Sequence, residues 1–166
     1  MSGGVIFKEI HSERITLRPI NDTDCSLYSR LYGDDNLLRY INADAIHGDK
    51  LQHSFNVALS LSQQSPCKRC FLVVELLETK EKAGIIGVSV LEKHKRIEVG
   101  VIFDPVFQTK HLAFNAFQLL IPFIRTEYSQ YDIVADIDPN NRAAVWLALR
   151  SGFSYNPQSL LYEFQQ

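Results

Sequence analysis

Two neighbouring segments of this chain carry groups that could do chemistry. The segment 108–113, QTKHLA, directly precedes a long apolar run typical of a helix. The first amides of a helix have no partner within it, and with the helix dipole they form a site for an anion such as a phosphate. Upstream, the run 97–103, IEVGVIF, alternates as a strand does, which places Glu98 on the face opposite Val99 and Val101. The sequence therefore predicts an anion site beside a strand that carries one carboxylate.

Both features also have a purely structural interpretation. Lys110 could be solvated and His111 could simply begin the helix. Glu98 could be an exposed strand carboxylate that pairs with a neighbouring Lys or Arg. These alternatives stay open at the level of the residues alone.

The elements that must position these groups follow from hydrophobic periodicity and from turn residues. The first strand alternates, so it is predicted to be buried on one face only. Polar turns join the three middle strands, which favours antiparallel pairing. Pro122 lies inside the longest helix and should bend or loosen it. The predicted strands span 14–18, 71–77, 84–92, 97–103, 131–138 and 160–164, with an extra short strand at Phe153; the predicted helices are capped by Asp22 or Thr23 and by Asp49, span 112–126, and run from Pro139 and Asn140 to near Arg150.

Composition limits the class of protein. The chain has 166 residues, which is enough for one core, and we expect a single domain over 1–166. Apolar residues at 46% with 22% charged residues are typical of a globular protein, and the net charge of −2 gives no electrostatic reason to expect nucleic acid. No apolar run is long enough to span a membrane, and the first residues do not resemble a secretion signal. A cytoplasmic location is therefore the expectation.

Other potential ligands and stacking residues are weaker candidates. Cys67 and Cys70 have the spacing of half a zinc site or of a redox pair, but no second pair of ligands accompanies them, so we predict no metal. Trp146 and Phe114 are predicted to belong to the core. Three acids of the 131–138 strand share one face and could attract a cationic acceptor if that face borders the cleft; a solvated face is the alternative (Asp132, Asp136 and Asp138).

Three segments, in this order and spacing, resemble the GNAT superfamily of N-acetyltransferases, and within it the Rim-type branch that acetylates the N-termini of ribosomal proteins. They are RITLRP at 14–19, EVGVIFDP at 98–105, and Asn141 followed by Gly152 and Phe153. The resemblance covers nearly the whole chain. It implies an α/β (α+β) fold with a mixed, mostly antiparallel central sheet flanked by about four helices.

The resemblance also implies a cosubstrate and roles for particular residues. Acetyl-CoA would be the acetyl donor, held at its pyrophosphate by the family segment Q/R-x-x-G-x-G/A. Here Gln108 and Ala113 match that pattern, and His111 replaces its first glycine. Glu98 would be the general base, directly or through water. The implied cofactor-binding residues, which act largely through their backbone, are Val101, Ile102, Phe103, Gln108, Thr109, Lys110, His111, Leu112, Ala113 and Asn141.

Two positions depart from the family in a way that bears on catalysis. The Ser and Tyr that commonly stand near the leaving sulfur are Ala144 and Ala148 here, and neither can donate a proton. A second hypothesis is therefore a degenerate, non-catalytic fold that binds coenzyme A or a protein partner.

The acceptor is predicted to be a primary amine of a small molecule or peptide. A Lys side chain needs about 4.6 kcal/mol to become neutral at pH 7, whereas an α-amine needs about 1–1.4 kcal/mol. A site with few acid–base groups would therefore do better with an α-amine, such as a protein N-terminus. Polyamines, amino acids and aminoglycosides remain open as acceptors, and so does a homodimer.

Overall fold

The computed structural model describes residues 7–41 and 44–165. Within these ranges the elements follow the predicted order, with one more short strand at the start. They are β1 (Ile10–His11), β2 (Ile15–Pro19), α1 (Cys25–Tyr32), α2 (Asp49–Ser62), β3 (Arg69–Leu76), β4 (Lys82–Leu91), β5 (Arg96–Phe103), α3 (Leu112–Glu127), β6 (Asp132–Ala135), α4 (Arg142–Arg150), β7 (Phe153–Asn156) and β8 (Leu161–Phe164).

The strands of the described residues form one 8-stranded sheet in the order β1-β2-β3-β4-β5-β6-β8-β7. Only the β5–β6 pair is parallel among these neighbours, and every other pair is antiparallel. The predicted mixed, mostly antiparallel sheet with helices around it is confirmed. The one parallel pair lies inside the sheet and includes Glu98, which is paired with Val134.

Each face of the sheet is covered by its own hydrophobic core. Residues of α3 and α4 pack against one face, where Ile97 and Val99 of β5 are buried. Residues of α1 and α2 pack against the other face, where Ile102 is buried. The predicted alternation of β5 is confirmed, because neighbouring residues of this strand enter different cores.

The strand predicted at 14–18, which is β2 in the structure, departs from its prediction, because both of its faces are covered. Thr16 is buried together with Ile15 and Leu17. On the polar face, Arg18 binds the fully buried carboxylate of Asp24 through two nitrogens, at 2.8 and 2.9 Å. Lys82 lies 2.7 Å from the same carboxylate. The Arg side chain is thus part of an internal ion network and not of a solvated face.

Three predicted helix starts are displaced by one to three residues. The first helical segment is capped by Asn21, not by Asp22 or Thr23, since the Asn21 side chain accepts a hydrogen bond from the Thr23 amide at 2.9 Å. Gly48, and not Asp49, precedes the first residue of α2. At α4 the cap is Asn141, whose Oδ1 accepts from the Ala144 amide at 3.2 Å. In each case the neighbouring residue is also a good capping residue by type, so the sequence leaves the choice open.

Two further expectations are wrong. The strand expected to reach Asp138 ends at Ala135, so Asp136 and Asp138 follow it. Trp146 is 47% exposed and lies outside the core, whereas Phe114 packs against the core as expected.

Gly152 has φ +98°, as predicted for the residue after α4. Among the described residues, no helix combines the length and the apolar character needed to cross a bilayer.

Candidate active site

The central feature of the site is an opening between β5 and β6. β5 pairs with β4 over its whole length, from Arg96 to Phe103. Its pairing with β6 covers only Arg96 to Glu98. From Val99 onward, no strand of the described part of the chain pairs with this edge of β5. We call the unpaired edge on the β6 side, from Val99 to Phe103, the opening.

The backbone of β5 points into this opening at alternate residues. The Asp104 amide donates to Ala83 on β4 at 2.9 Å, and the Lys95 carbonyl accepts from Asp132 at the start of β6 at 2.9 Å. In an antiparallel ladder, even and odd residues direct their backbone groups to opposite edges. It follows that Val101 and Phe103 direct their amides toward the opening, while Ile102 directs its amide toward β4.

The start of α3 lies next to the end of β5. A 3₁₀ segment, Pro105–Lys110, leads into His111, which precedes the helix with φ 57° and ψ 21°. This left-handed conformation is costly for any residue with a Cβ, which explains why glycine is the natural choice there. The first amides of α3, from Leu112 to Phe114, have no partner within the helix, and amides in this position can bind an anion; we call them the anion cradle.

Gln108 holds the cradle and the opening together. Its Nε2 donates a hydrogen bond to the Phe103 carbonyl at 3.0 Å, across the turn that joins β5 to α3. The side chain is thus used to fix the turn. For Thr109 and Lys110 only the backbone belongs to the described part of the structure.

Glu98 stands in a row of polar side chains that crosses three strands. Arg69 of β3 lies opposite Ser89 of β4, which lies opposite Glu98. Directly paired residues share a face, so all three are on the face of α1 and α2. The guanidinium of Arg69 lies 5.0 Å above the ring of Phe71, which keeps it on this face.

Two neighbouring charges act on Glu98 in opposite directions. Burial is the main cause that raises the pKa of Glu98 above its ordinary value, and the negative charge of Asp136 raises it further. The positive charge of Arg69 opposes both effects. Asp136 comes two residues after Val134, the β6 partner of Glu98, so it stands at the mouth of the opening. A carboxyl with a raised pKa holds a proton more readily and is the stronger general base.

The floor beside Glu98 has no side chains. Gly87 of β4 and Gly100 of β5 lie directly opposite each other. A Cβ built on either glycine would meet nothing within 4 Å. The β4–β5 register continues without a shift past Gly100, so this glycine makes no bulge and instead leaves room for a close approach. We call the sheet surface formed by Gly87 and Gly100 the glycine floor.

The other predicted site positions lie at the start of α4 and within it, and they carry no acid. Asn141 caps α4 through its side chain and is half-buried. Ala148 is buried in the core, and Ala144 is half-buried one turn earlier. Neither alanine can give a proton to a leaving group.

A separate cavity of about 330 Å³ lies between α3, α4 and β8. Glu98 does not line it, and its walls are mostly apolar. We therefore do not place the chemistry there. The lining residues are Phe114, Phe117, Gln118, Ile121, Pro122, Arg150, Ser151 and Phe164.

Sequence reasoning missed two contributors to this site, Gly87 and Arg69. Gly87 could have been noticed as a glycine inside an apolar strand, which often marks a close approach. Asp136 was a candidate for attracting a cationic acceptor, but its nearness to Glu98, like that of Arg69, depends on the register of strand pairs. No periodicity within a single segment carries that information.

Comparisons with known proteins point in one direction. A family model described as acetyltransferase (GNAT) domain matches residues 14–154. An uncharacterized N-acetyltransferase, p20, of Bacillus licheniformis is 23% identical over 95% of this chain and 87% of its own length. The spermidine N(1)-acetyltransferase of Escherichia coli K12 is 32% identical, over 51% of this chain and 45% of its own length.

A solved structure shares the fold at low sequence identity. It is RimL, a ribosomal L7/L12 alpha-N-protein acetyltransferase in complex with coenzyme A. Its TM-score is 0.77 with 15% identity, over 90% of this chain and 85% of that one.

Proposed function

This chain belongs to the GNAT acetyltransferase domain family, and from that premise we propose how its own residues work. The protein is an acetyl-CoA-dependent N-acetyltransferase that transfers the acetyl group to a primary amine. The observation that carries our assignment of the site is the opening beside β5, directly before the anion cradle of α3. It offers donors for a phosphate and for a carbonyl in one continuous stretch of chain.

We assign the binding of acetyl-CoA to backbone groups. The pyrophosphate binds the amides at the start of α3, where His111, Leu112 and Ala113 stand. The pantetheine arm enters the opening and pairs with the free edge of β5. An amide of that edge, from Val101 or Phe103, donates to the thioester carbonyl and stabilises the oxyanion that forms there. Asn141, at the start of α4, lies at the thiol end.

The acetyl transfer then needs one base and one source of a proton. The neutral amine nitrogen attacks the thioester carbon, and the C–S bond breaks as the amide bond forms. Glu98 takes the proton that the amine loses, directly or through one water. The coenzyme A thiolate leaves with the electron pair of the C–S bond. Solvent water protonates it, because Ala144 and Ala148 cannot.

We propose that the acceptor is the α-amine of a peptide or protein. It approaches over the glycine floor as an ammonium ion, drawn by the carboxylates of Glu98 and Asp136, and releases one proton to solvent before it attacks as the neutral amine. An α-amine reaches its neutral form at pH 7 for about 1–1.4 kcal/mol, against about 4.6 kcal/mol for a Lys side chain. RimL is described as an alpha-N-protein acetyltransferase, whereas the E. coli relative is named for spermidine, so both acceptor classes belong in the test.

The test measures the thiol released from acetyl-CoA with a panel of amines. We expect turnover with a peptide that has a free α-amine, and less with spermidine or with a Lys-containing peptide whose α-amine is blocked. Glu98→Gln should lower kcat while the Kd of coenzyme A, from calorimetry, stays within about twofold. Ser89→Ala, on the neighbouring strand, is the matched control. Binding of coenzyme A without turnover on any amine would contradict the catalytic assignment.

Three coarser expectations belong to the same proposal. We propose that residues 1–166 form one domain, that the protein is cytoplasmic and that it forms a homodimer. Limited proteolysis, cell fractionation and light scattering would test them separately, and none of the residue assignments depends on them.

A further inference from the structure

The single tryptophan of this chain is in an unusual place. Trp146 is 47% exposed on the outer side of α4, although its large apolar ring gains most from burial. Its ring centroid lies 5.8 Å from that of His111, the residue that precedes α3. The exposed indole therefore stands beside the anion cradle, and the core on that side of the sheet does not include it.

Arg150 contacts the same indole and links it to the first turn of α3. The guanidinium of Arg150 lies 5.1 Å from the ring centroid of Trp146 and 4.9 Å from that of Phe114 in the first turn of α3. Arg150 is itself exposed, as is His111. Four side chains thus form one continuous aromatic and cationic surface, which joins the start of α3 to α4: His111, Trp146, Arg150 and Phe114. We call it the Trp146 surface.

The chemistry of this surface fits a nucleotide. A flat indole offers a stacking partner to any base, with a contribution of about 1–3 kcal/mol per base. An arginine fork suits a phosphate and also stacks on aromatic rings. The guanidinium of Arg150 brings a fixed positive charge to these contacts, and that charge is complementary to an anion.

The position of the surface fits one particular nucleotide. In the proposed function, the cradle at the start of α3 holds the pyrophosphate of coenzyme A. One ribose separates that pyrophosphate from the adenine base, and the same ribose carries the 3′-phosphate. The base must therefore lie within the reach of one sugar from His111, where the exposed indole stands.

We propose that the Trp146 surface binds the adenosine 3′-phosphate end of coenzyme A. The base stacks on the indole of Trp146, and the guanidinium of Arg150 binds the 3′-phosphate. This inference rests on the proposed function, because it takes the pyrophosphate position from it. It adds that this chain distinguishes coenzyme A from the form without the 3′-phosphate.

The indole makes the inference directly measurable, since its fluorescence reports on one site only. We expect coenzyme A to change the Trp146 emission in a saturable way. Dephospho-coenzyme A should give the same change with a Kd about tenfold higher, because it loses the Arg150 contact. Pantetheine, which has no nucleotide, should leave the emission unchanged. A change with pantetheine as large as with coenzyme A would overturn the stacking assignment.

Two variants test the side chains separately. Arg150→Gln should abolish the difference in Kd between coenzyme A and its dephospho form. The control is Arg125→Gln, which removes an equal charge from α3, beside Phe164 of β8; it should preserve that difference. Trp146→Ala should weaken coenzyme A about tenfold in calorimetry, and Leu149→Ala, at another exposed position of α4, should not. A preserved difference in Arg150→Gln would overturn the assignment of the 3′-phosphate.

The outcomes also separate this inference from the proposed function. If acetyl transfer and coenzyme A binding persist while the emission and the Arg150→Gln selectivity do not change, only the Trp146 surface is wrong. If neither coenzyme A nor acetyl-CoA binds at all, the pyrophosphate cradle itself is wrong, and both fall.

Discussion

At the scale of single residues, Glu98 lies between two charges of opposite sign. Asp136 raises its pKa and Arg69 lowers it, in addition to the larger effect of burial. A general base acts in its ionised form, so acetyl transfer should rise with pH through the pKa of Glu98. The two neighbours should therefore move the acidic limb of the pH profile in opposite directions.

We expect Asp136→Asn to shift this limb of kcat/KM to lower pH, and Arg69→Gln to shift it to higher pH. The change follows because a lost negative charge lowers the pKa of a carboxyl and a lost positive charge raises it. Asp132→Asn removes the same charge from the other end of β6 and serves as the control. A shift in the same direction for Asp136→Asn and Arg69→Gln would exclude Glu98 as the titrating group.

His111 is the second residue with a separable role. Its φ of 57° is the conformation that glycine adopts without strain. We expect His111→Gly to stabilise the fold by about 1 kcal/mol relative to His111→Ala, since alanine keeps the Cβ that causes the strain. Urea unfolding of the two variants gives this difference. Binding of coenzyme A should be retained or strengthened in His111→Gly, because the contacts assigned to the nucleotide come from Trp146 and Arg150; a large loss would mean that the imidazole itself contributes to binding.

The residue scale also shows how far the sequence alone can be interpreted. The side of β5 that carries Glu98 was predictable, because a strand alternates with a period of two. The position of His111 as an irregular residue was predictable only through the family pattern with glycine there. The nearness of Asp136 was not predictable, since it depends on how far β6 pairs with β5.

At the scale of elements, the glycine floor allows a substitution that should block the acceptor without lowering the stability of the fold. We expect Gly100→Val to fold normally, because a Cβ there meets nothing within 4 Å and valine favours strands. The same side chain fills the path of the acceptor, so acetyl transfer should fall by about 100-fold through a higher KM for the amine. Thermal unfolding and steady-state kinetics measure the two effects.

Gly84 provides the contrasting variant on the same strand pair. A Cβ at Gly84 would lie 2.6 Å from the Ile102 carbonyl, so Gly84→Ala should lower the melting temperature. If Gly100→Val were as unstable as Gly84→Ala, or equally active with every amine, the floor would not be the acceptor path.

Element boundaries were predicted less well than element types. The core-facing residues of β5 follow from periodicity alone, and the structure has them. The caps did not follow, because Asn21, Asp22 and Thr23 are all good caps by type. Asn21 is selected by Asp24, which accepts the Asn21 amide at 2.8 Å while its carboxylate binds Arg18.

At the scale of the whole molecule, the order of elements was predictable and the ion network that joins them was not. Arg18 of β2, Glu75 of β3 and Lys82 of β4 meet around Asp24, which is fully buried. Burial alone would raise the pKa of Asp24, but hydrogen bonds from Arg18 and Lys82 outweigh it and hold the pKa below its ordinary value. Such a group stabilises the fold above its unfolded pKa, near 3.9.

We therefore expect Asp24→Asn to lower the free energy of unfolding at pH 7 by about 3–5 kcal/mol, since it breaks a buried ion pair. The difference from the wild-type protein should shrink as the pH falls below about 4, because the wild type then loses the same contribution. Asp22→Asn, which removes an exposed charge two residues away, is the control. A difference that does not change with pH would show that the loss is one of packing and not of charge.

The parting of β5 from β6 has a consequence for solvent exchange of the backbone. Amides of β5 that bond to β4, such as that of Ile102, should exchange slowly with deuterated solvent whether or not cosubstrate is present. Amides that point into the gap, those of Val101 and Phe103, should exchange fast in the free protein and slowly once the pantetheine arm fills the place of the missing strand. Binding of the cosubstrate would then appear as new protection from exchange at every second amide of β5.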